Sequence, residues 1–159
     1  MASTFRPSPG AQGFQQSNPS TLTIASLLGA LQVFKQAGMM GPIRARSLVL
    51  TNTLEQHLLK SKYFIPPKDA IANEGKSGFT ILTPTNAEER GAQLSLLFLP
   101  VGSGLMRKVF DALISHGVVG DEREPDVIRL APIPLYNTLE EVEKAATLLE
   151  RALDEVVKS

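Results

Sequence analysis

The chain has 159 residues, 43% of them hydrophobic, with 16 basic and 16 acidic side chains and neither cysteine nor tryptophan. That length and apolar content provide for one globular domain with a real core, or two very small ones. Zero net charge speaks against a nucleic-acid surface, which needs excess Lys and Arg to displace counterions, and against attraction to an acidic membrane; the missing cysteine excludes a disulfide framework, a thiolate nucleophile and Cys-ligated zinc.

The best apolar run, residues 94–101, falls far short of the roughly 20 residues a spanning helix needs. The start, Met1-Ala2-Ser3-Thr4-Phe5-Arg6-Pro7, has no apolar stretch of the secretory kind. A soluble, cytoplasmic protein that takes no nucleic acid and no membrane is expected.

Residues 1–13 are rich in Pro, Gly, Ser and Gln and read as an irregular lead-in. Asn18-Pro19-Ser20 then forms a turn ahead of a helix over 21–36, where Ile24, Leu27, Leu28, Leu31 and Phe34 recur at helical spacing. Gly29 inside that pattern marks a place for close backbone packing. After the break at 38–42 a second helix runs over 43–60, its Leu48, Leu54, Leu58 and Leu59 mixed with polar residues so that one side faces solvent. Residues 61–78, with two adjacent prolines and two glycines, read as a loop.

The period then changes. Residues 79–83 read as a strand ending at Pro84, and 93–98 as another with Leu94, Leu96 and Phe98 on one face. Residues 106–114 form an amphipathic helix closed by His116-Gly117. Val118-Val119 and 127–130 read as short strands around an acidic turn, and 138–157 as a long helix with Thr138 and Glu141 spaced for a capping box. The order predicts an α+β domain in which a short, mostly antiparallel sheet is covered by helices.

Charge is uneven. Residues 1–63 hold six Lys or Arg against one acid, Glu55, a net of +5 that the remainder balances; an ordinary solvated face accounts for most of it.

Arg129 is the leading candidate for chemistry. It lies in Val127-Ile128-Arg129-Leu130, where alternation puts Ile128 and Leu130 on one face and Arg129 on the other. A guanidinium there meets an anion, with its planar fork suited to a carboxylate, or else points into water from an edge strand or pairs with a local Glu. Asn18 either caps the helix after it or holds a ligand phosphate near that helix start. Gly102-Ser103-Gly104 has no surrounding phosphate-loop pattern and reads as a surface turn. His57 and His116 lack acids at metal-ligand spacing, so no metal site is expected. Glu88-Glu89-Arg90 is as easily a loop ion-pair cluster as a functional one. No Ser stands in a nucleophile motif, and the residues alone indicate an anion site and no bond-breaking machinery.

Three segments add to this. Gly13-Phe14-Gln15-Gln16-Ser17-Asn18-Pro19-Ser20, Glu88-Glu89-Arg90-Gly91-Ala92-Gln93-Leu94 and Ile128-Arg129-Leu130-Ala131-Pro132-Ile133-Pro134-Leu135-Tyr136-Asn137-Thr138 resemble, in order and spacing, the GFxxSNP, EERGxQL and IRxAPxPLYNS segments of kynureninases. The likeness runs from about residue 5 to residue 153. A looser one, an Arg strand followed by Tyr-Asn and a helix, extends to class V aminotransferases and cysteine desulfurases.

The resemblance implies the small C-terminal domain, residues 20–159, of a fold-type I pyridoxal-phosphate enzyme, with 1–19 as a lead-in near the cofactor. It implies a homodimer that cleaves L-kynurenine, or its 3-hydroxy form, to an anthranilate and L-alanine. By matching position, Arg129 takes the grip on the substrate α-carboxylate, and Asn18, with Ser17 as a lesser neighbour, lies at the cofactor and substrate pocket. The family's Schiff-base lysine, the Asp facing the pyridine nitrogen and the pocket aromatics belong to the region upstream of the match. None of the eight lysines here, at 35, 60, 62, 68, 76, 108, 144 and 158, matches that lysine segment. Two readings follow: part of a kynureninase, inactive without the missing large domain, or a stand-alone non-catalytic domain that binds or dimerises with a partner.

Overall fold

The computed structural model describes residues 6, 8–72 and 75–158. The chain forms two compact units, Met1–Met40 and Gly41–Ser159. The first unit includes α1 (Thr21–Gln36).

In the first unit, residues Gly10–Phe14 make one short 3-10 turn before α1. Helix α1 ends where Gly38 and Met39 turn left-handed, with the Met39 N–H donating to the Phe34 carbonyl at 2.9 Å. None of its residues is buried; Leu22, Ile24, Leu27, Leu28, Leu31 and Val33 all stand exposed. A Cβ at Gly29 would meet nothing within 4 Å, so the close packing expected there is not found.

The second unit holds the core. Helix α2 (Met40–Lys60) buries Ile43, Ser47, Leu50, Leu54 and Leu58, one stripe at helical spacing, and leaves Leu59 outside. The segment read as a loop has structure of its own: Pro67 starts a single turn, α3 (Pro67–Ala70). Ahead of it Phe64 bridges Phe79 in parallel, with Ile65 N–H donating to Phe79 O at 2.8 Å and Phe79 N–H to Tyr63 O at 2.9 Å. Gly78 makes that approach feasible, since a Cβ there would lie 2.3 Å from the Tyr63 carbonyl oxygen.

Four strands, β1 (Gly78–Ile81), β2 (Leu94–Leu99), β3 (Asp121–Arg123) and β4 (Val127–Leu130), form one sheet in the order β1-β2-β4-β3. Every pairing is antiparallel. The expected strand at Val118-Val119 is not formed. Val119 is exposed, Val118 packs on the core from a connection, and the pairing strand is the polar Asp121–Arg123. Position relative to the turn at 124–126 outweighs β-propensity at this edge.

Phe79, Ile81, Leu94, Leu96, Phe98, Ile128 and Leu130 are buried in one cluster with Met106, Val109 and Leu113 of α4 (Leu105–Ser115) and Val142, Ala146, Leu149 and Leu153 of α5 (Leu139–Val157). Each such Leu or Phe contributes about 1.5–3 kcal/mol relative to exposure. Helix α5 opens with the expected capping box: Glu141 N–H donates to Thr138 Oγ1 at 3.2 Å, and Thr138 N–H to Glu141 Oε2 at 2.8 Å.

Candidate substrate-binding site

Alternation along β4 turns Ile128 and Leu130 into the core and Arg129 to the opposite face of the sheet, as its sequence context predicts. Arg129 is not on an edge strand, since β2 and β3 flank β4. Its register partner on β2 is Ser95, and on β3 it is Asp121. The side chain is partly buried, with 30% of it accessible. Its Nε donates to Asp121 Oδ2 at 2.5 Å, and its Nη2 donates to the same oxygen. The partner is Asp121 and not the local Glu weighed for this arginine, and it grips one side of the fork.

Arg123, two residues along β3 on the same face, places its Nε 3.2 Å from that Asp121 oxygen. Two guanidiniums share one carboxylate, so the group retains a net charge of +1. On the β2 side Ser95 is held firmly: its N–H donates to Thr83 Oγ1 at 2.9 Å, and its hydroxyl accepts from Gln93 Nε2 at 3.1 Å. No other hydrogen bond of Arg129 to a described residue occupies Nη1. The distal Nη1–Nη2 edge is thus the part of the fork suited to an external carboxylate.

The segment after β4 closes on α5. Ile133 N–H donates to Asn137 Oδ1 at 2.7 Å, Asn137 Nδ2 reaches Glu141 Oε2 at 3.3 Å, and Arg46 from α2 donates to the Asn137 carbonyl at 2.9 Å. The Thr138 backbone N–H, then Asn137, hold the Glu141 carboxyl below the usual range. A cavity of about 330 Å³ lies beside this segment, with His116, Glu141 and Lys144 among its polar lining; Arg129 does not line it.

Arg90 of the Glu88-Glu89-Arg90 run pairs with neither neighbour. Its Nη1 and Nη2 donate to Glu55 Oε1 and Oε2 at 2.6 and 2.5 Å, and both side chains are almost fully buried. Hydrogen bonding to that carboxylate outweighs desolvation and raises the guanidinium above its ordinary value. Thr51 donates to the Ala92 carbonyl at 3.0 Å, and Arg44 to the Ala87 carbonyl. Helix α2 thereby fixes the segment that delivers β2. Arg90 is thus half of a buried ion pair, and Glu55 is the partner that sequence reasoning missed.

Gly102-Ser103-Gly104 is a turn. Both glycines are left-handed, and Gly102 N–H donates to the buried Asp126 carboxylate at 2.8 Å, an arrangement that repels an anion. His57 lies 3.9 Å from Glu143 and His116 3.1 Å from Glu155; among the described residues no cluster of metal-ligating side chains occurs.

Ser17 and Asn18 belong to the first unit. Ser17 is left-handed at φ 63°, and its carbonyl accepts from Gln15 Nε2 at 2.9 Å. Asn18 does not cap α1: the cap position is Ser20, which makes no side-chain cap bond. Both side chains are exposed.

Similarity to known proteins bears on these positions. A family model for the kynureninase C-terminal domain matches residues 43–149. The chain belongs to the kynureninase family. It is 49% identical over 97% of its length to a kynureninase of Yarrowia lipolytica, where the match covers 35% of that relative. Kynureninases of Eremothecium gossypii, at 49% identity over 97% of this chain, and Saccharomyces cerevisiae, at 46% over 98%, are matched across 34% and 35% of their lengths. The chain thus spans about a third of the family members it matches. The α+β architecture with its antiparallel sheet agrees with a kynureninase C-terminal domain.

Asp121, the partner of Arg129 that sequence reasoning missed, had a readable signal. Counted outward from Pro125, residues 121 and 129 are equidistant, so an antiparallel hairpin across that turn sets them side by side.

Proposed function

We propose that this chain is the part of a kynureninase that grips the substrate's α-carboxylate. The whole protein would hydrolyse L-kynurenine or 3-hydroxykynurenine to an anthranilate and L-alanine. The observation that carries the reading is Arg129: a partly buried side chain on an inner strand of the sheet, with one edge of its fork unengaged and a net positive charge around it. A carboxylate docking on that edge would complete the charge balance and gain two parallel charge-assisted hydrogen bonds.

Pyridoxal phosphate is the family's cofactor, and when bound it supplies the electron sink for cleavage at Cβ–Cγ. The residues here fit a partial contribution only. Ser17 and Asn18 offer a hydroxyl and an amide, both exposed, to a phosphate held mainly by other parts of the protein. No lysine in the chain matches the family's Schiff-base segment, so the chain alone would be inactive. The exposed apolar side chains of α1 support burial against further polypeptide, whether a large domain or a second copy in a homodimer. That no helix of the described residues is long and apolar enough to cross a membrane accords with a cytoplasmic enzyme.

The test is Arg129→Ala in a complete enzyme containing this chain. Removing charge-assisted hydrogen bonds predicts KM raised on the order of 10- to 100-fold, with the cofactor absorbance kept. An unchanged KM and turnover would refute the carboxylate role. Borohydride reduction of the isolated chain with pyridoxal phosphate should label none of its lysines specifically.

A further inference from the structure

From the hairpin geometry we infer that Asp121 is a positioning residue for substrate binding: it orients the Arg129 guanidinium so that its Nη1–Nη2 edge faces an incoming carboxylate. The inference rests on the carboxylate-binding reading of Arg129 and adds the group that makes that arginine ready for use.

A long side chain on a sheet surface samples several rotamers, and ordering it on binding costs affinity. Here the side-on approach of Asp121, through Nε and Nη2 to a single oxygen, fixes the guanidinium before any ligand arrives. This mode of pairing uses one side of the fork and leaves the opposite edge, where one N–H of each Nη points outward, for a second carboxylate. An end-on pairing through Nη1 and Nη2 would have consumed the edge that a substrate needs.

The electrostatics complete the argument. Asp121 by itself would neutralise Arg129 and weaken its hold on an anion. Arg123 compensates, its Nε 3.2 Å from the same oxygen, so that two cations and one carboxylate still present a net positive site. Of the other hairpin charges, Glu122 faces away and pairs with Arg107, whose Nη1 donates to its two oxygens at 2.8 and 2.7 Å, and the buried Asp126 carboxylate accepts from the Gly102 N–H. Backbone pairing of Asp121 with Arg129 and of Arg123 with Val127 keeps all three groups on one face.

The experiment is a mutant cycle in a complete enzyme containing this chain: Asp121→Ala, Asp121→Asn, Arg129→Ala and the Asp121→Ala/Arg129→Ala double variant, with KM and kcat measured for each. Asp121→Ala should raise KM about tenfold and leave kcat within about twofold, as expected for a lost charge-assisted contact felt in binding alone. Asp121→Asn, whose amide oxygen still accepts from Nε, should fall between Ala and wild type. The double variant should have the KM of Arg129→Ala alone. Effects that multiply in the double variant, or an unchanged KM in Asp121→Ala beside a raised one in Arg129→Ala, overturn the positioning role and leave the reading of Arg129 intact. An unchanged KM in Arg129→Ala sinks that reading itself.

A second readout needs neither turnover nor cofactor. The Arg129 Nε–H resonance should exchange slowly with solvent in the wild-type protein and measurably faster in Asp121→Asn. Identical exchange in the two would overturn the inference, including in the event that Asp121→Ala does not fold.

Discussion

The buried pair between Glu55 and Arg90 makes the sharpest stability prediction. Four atoms form two hydrogen bonds of 2.6 and 2.5 Å, with 5% of the Arg90 side chain and 8% of the Glu55 side chain accessible. Glu55→Ala removes the carboxylate and leaves a buried guanidinium whose remaining acceptor is the Pro84 carbonyl at 3.1 Å. Stranding one member of a buried ion pair costs about 3–5 kcal/mol. Total stability for a domain of this size is about 5–15 kcal/mol, so the loss takes about a fifth of it or more. With an m-value of about 2 kcal/mol/M, the urea midpoint should fall by about 1.5–2.5 M. Replacing both partners, Glu55→Leu with Arg90→Met, removes the charges together and should return stability to within about 1 kcal/mol of wild type. Equilibrium urea unfolding by circular dichroism reads both variants. A midpoint shift under about 0.5 M for Glu55→Ala, or a double variant no better than the single, would refute the assignment of this pair as a desolvated clamp.

Two further stability predictions follow from polar groups. The Thr80 hydroxyl is buried with no hydrogen-bond partner among the described residues; Thr80→Val replaces it with a methyl of similar shape and should stabilise by about 1 kcal/mol in the same urea assay, and a loss of stability would show that the hydroxyl is satisfied. Acid should weaken the fold through three carboxyls near the surface, each modestly because water screens its pairing. Lys62, Tyr63 and Lys158 hold Asp154 well below its usual range, Arg151 and His116 lower Glu155, and the capping box lowers Glu141. A depressed folded-state pKa contributes stability in full above the unfolded values near 4, and that contribution fades as pH falls through the lower folded values. Thermal melts should therefore drop below about pH 4, and Asp154→Asn should flatten that limb; a wild-type slope in the variant would dismiss Asp154 as a contributor.

Most of the fold was legible because its signals are local. The periodicity of α1, α4 and α5, the alternation in β2 and β4, and the Thr138–Glu141 capping box each depend on residues within a turn or two. What failed depends on partners far along the chain. Val118-Val119 has strand composition, yet the hairpin across Pro125 pairs 121–123 with β4, and pairing geometry decides the edge. Pro66-Pro67 reads as a breaker, although a proline in the first helical turn is compatible with α3. At the site, alternation sufficed to aim Arg129 away from the core. Glu55 was invisible for the opposite reason: its partner lies 35 residues away, and a lone acid on a helix looks solvated until that partner is seen.

The turn at 124–126 carries a consequence for how such sequences diverge. Surface loops ordinarily absorb insertions and deletions at little thermodynamic expense. This one cannot do so silently, because strand side chains alternate and a one-residue change in the hairpin would slide β3 past β4 and send Asp121 to the opposite side of the sheet. An indel here would leave a foldable domain whose Arg129 has lost its companion. Turn length, more than turn composition, is the trait by which descendants that keep the Asp121–Arg129 pairing can be told from those that have abandoned it.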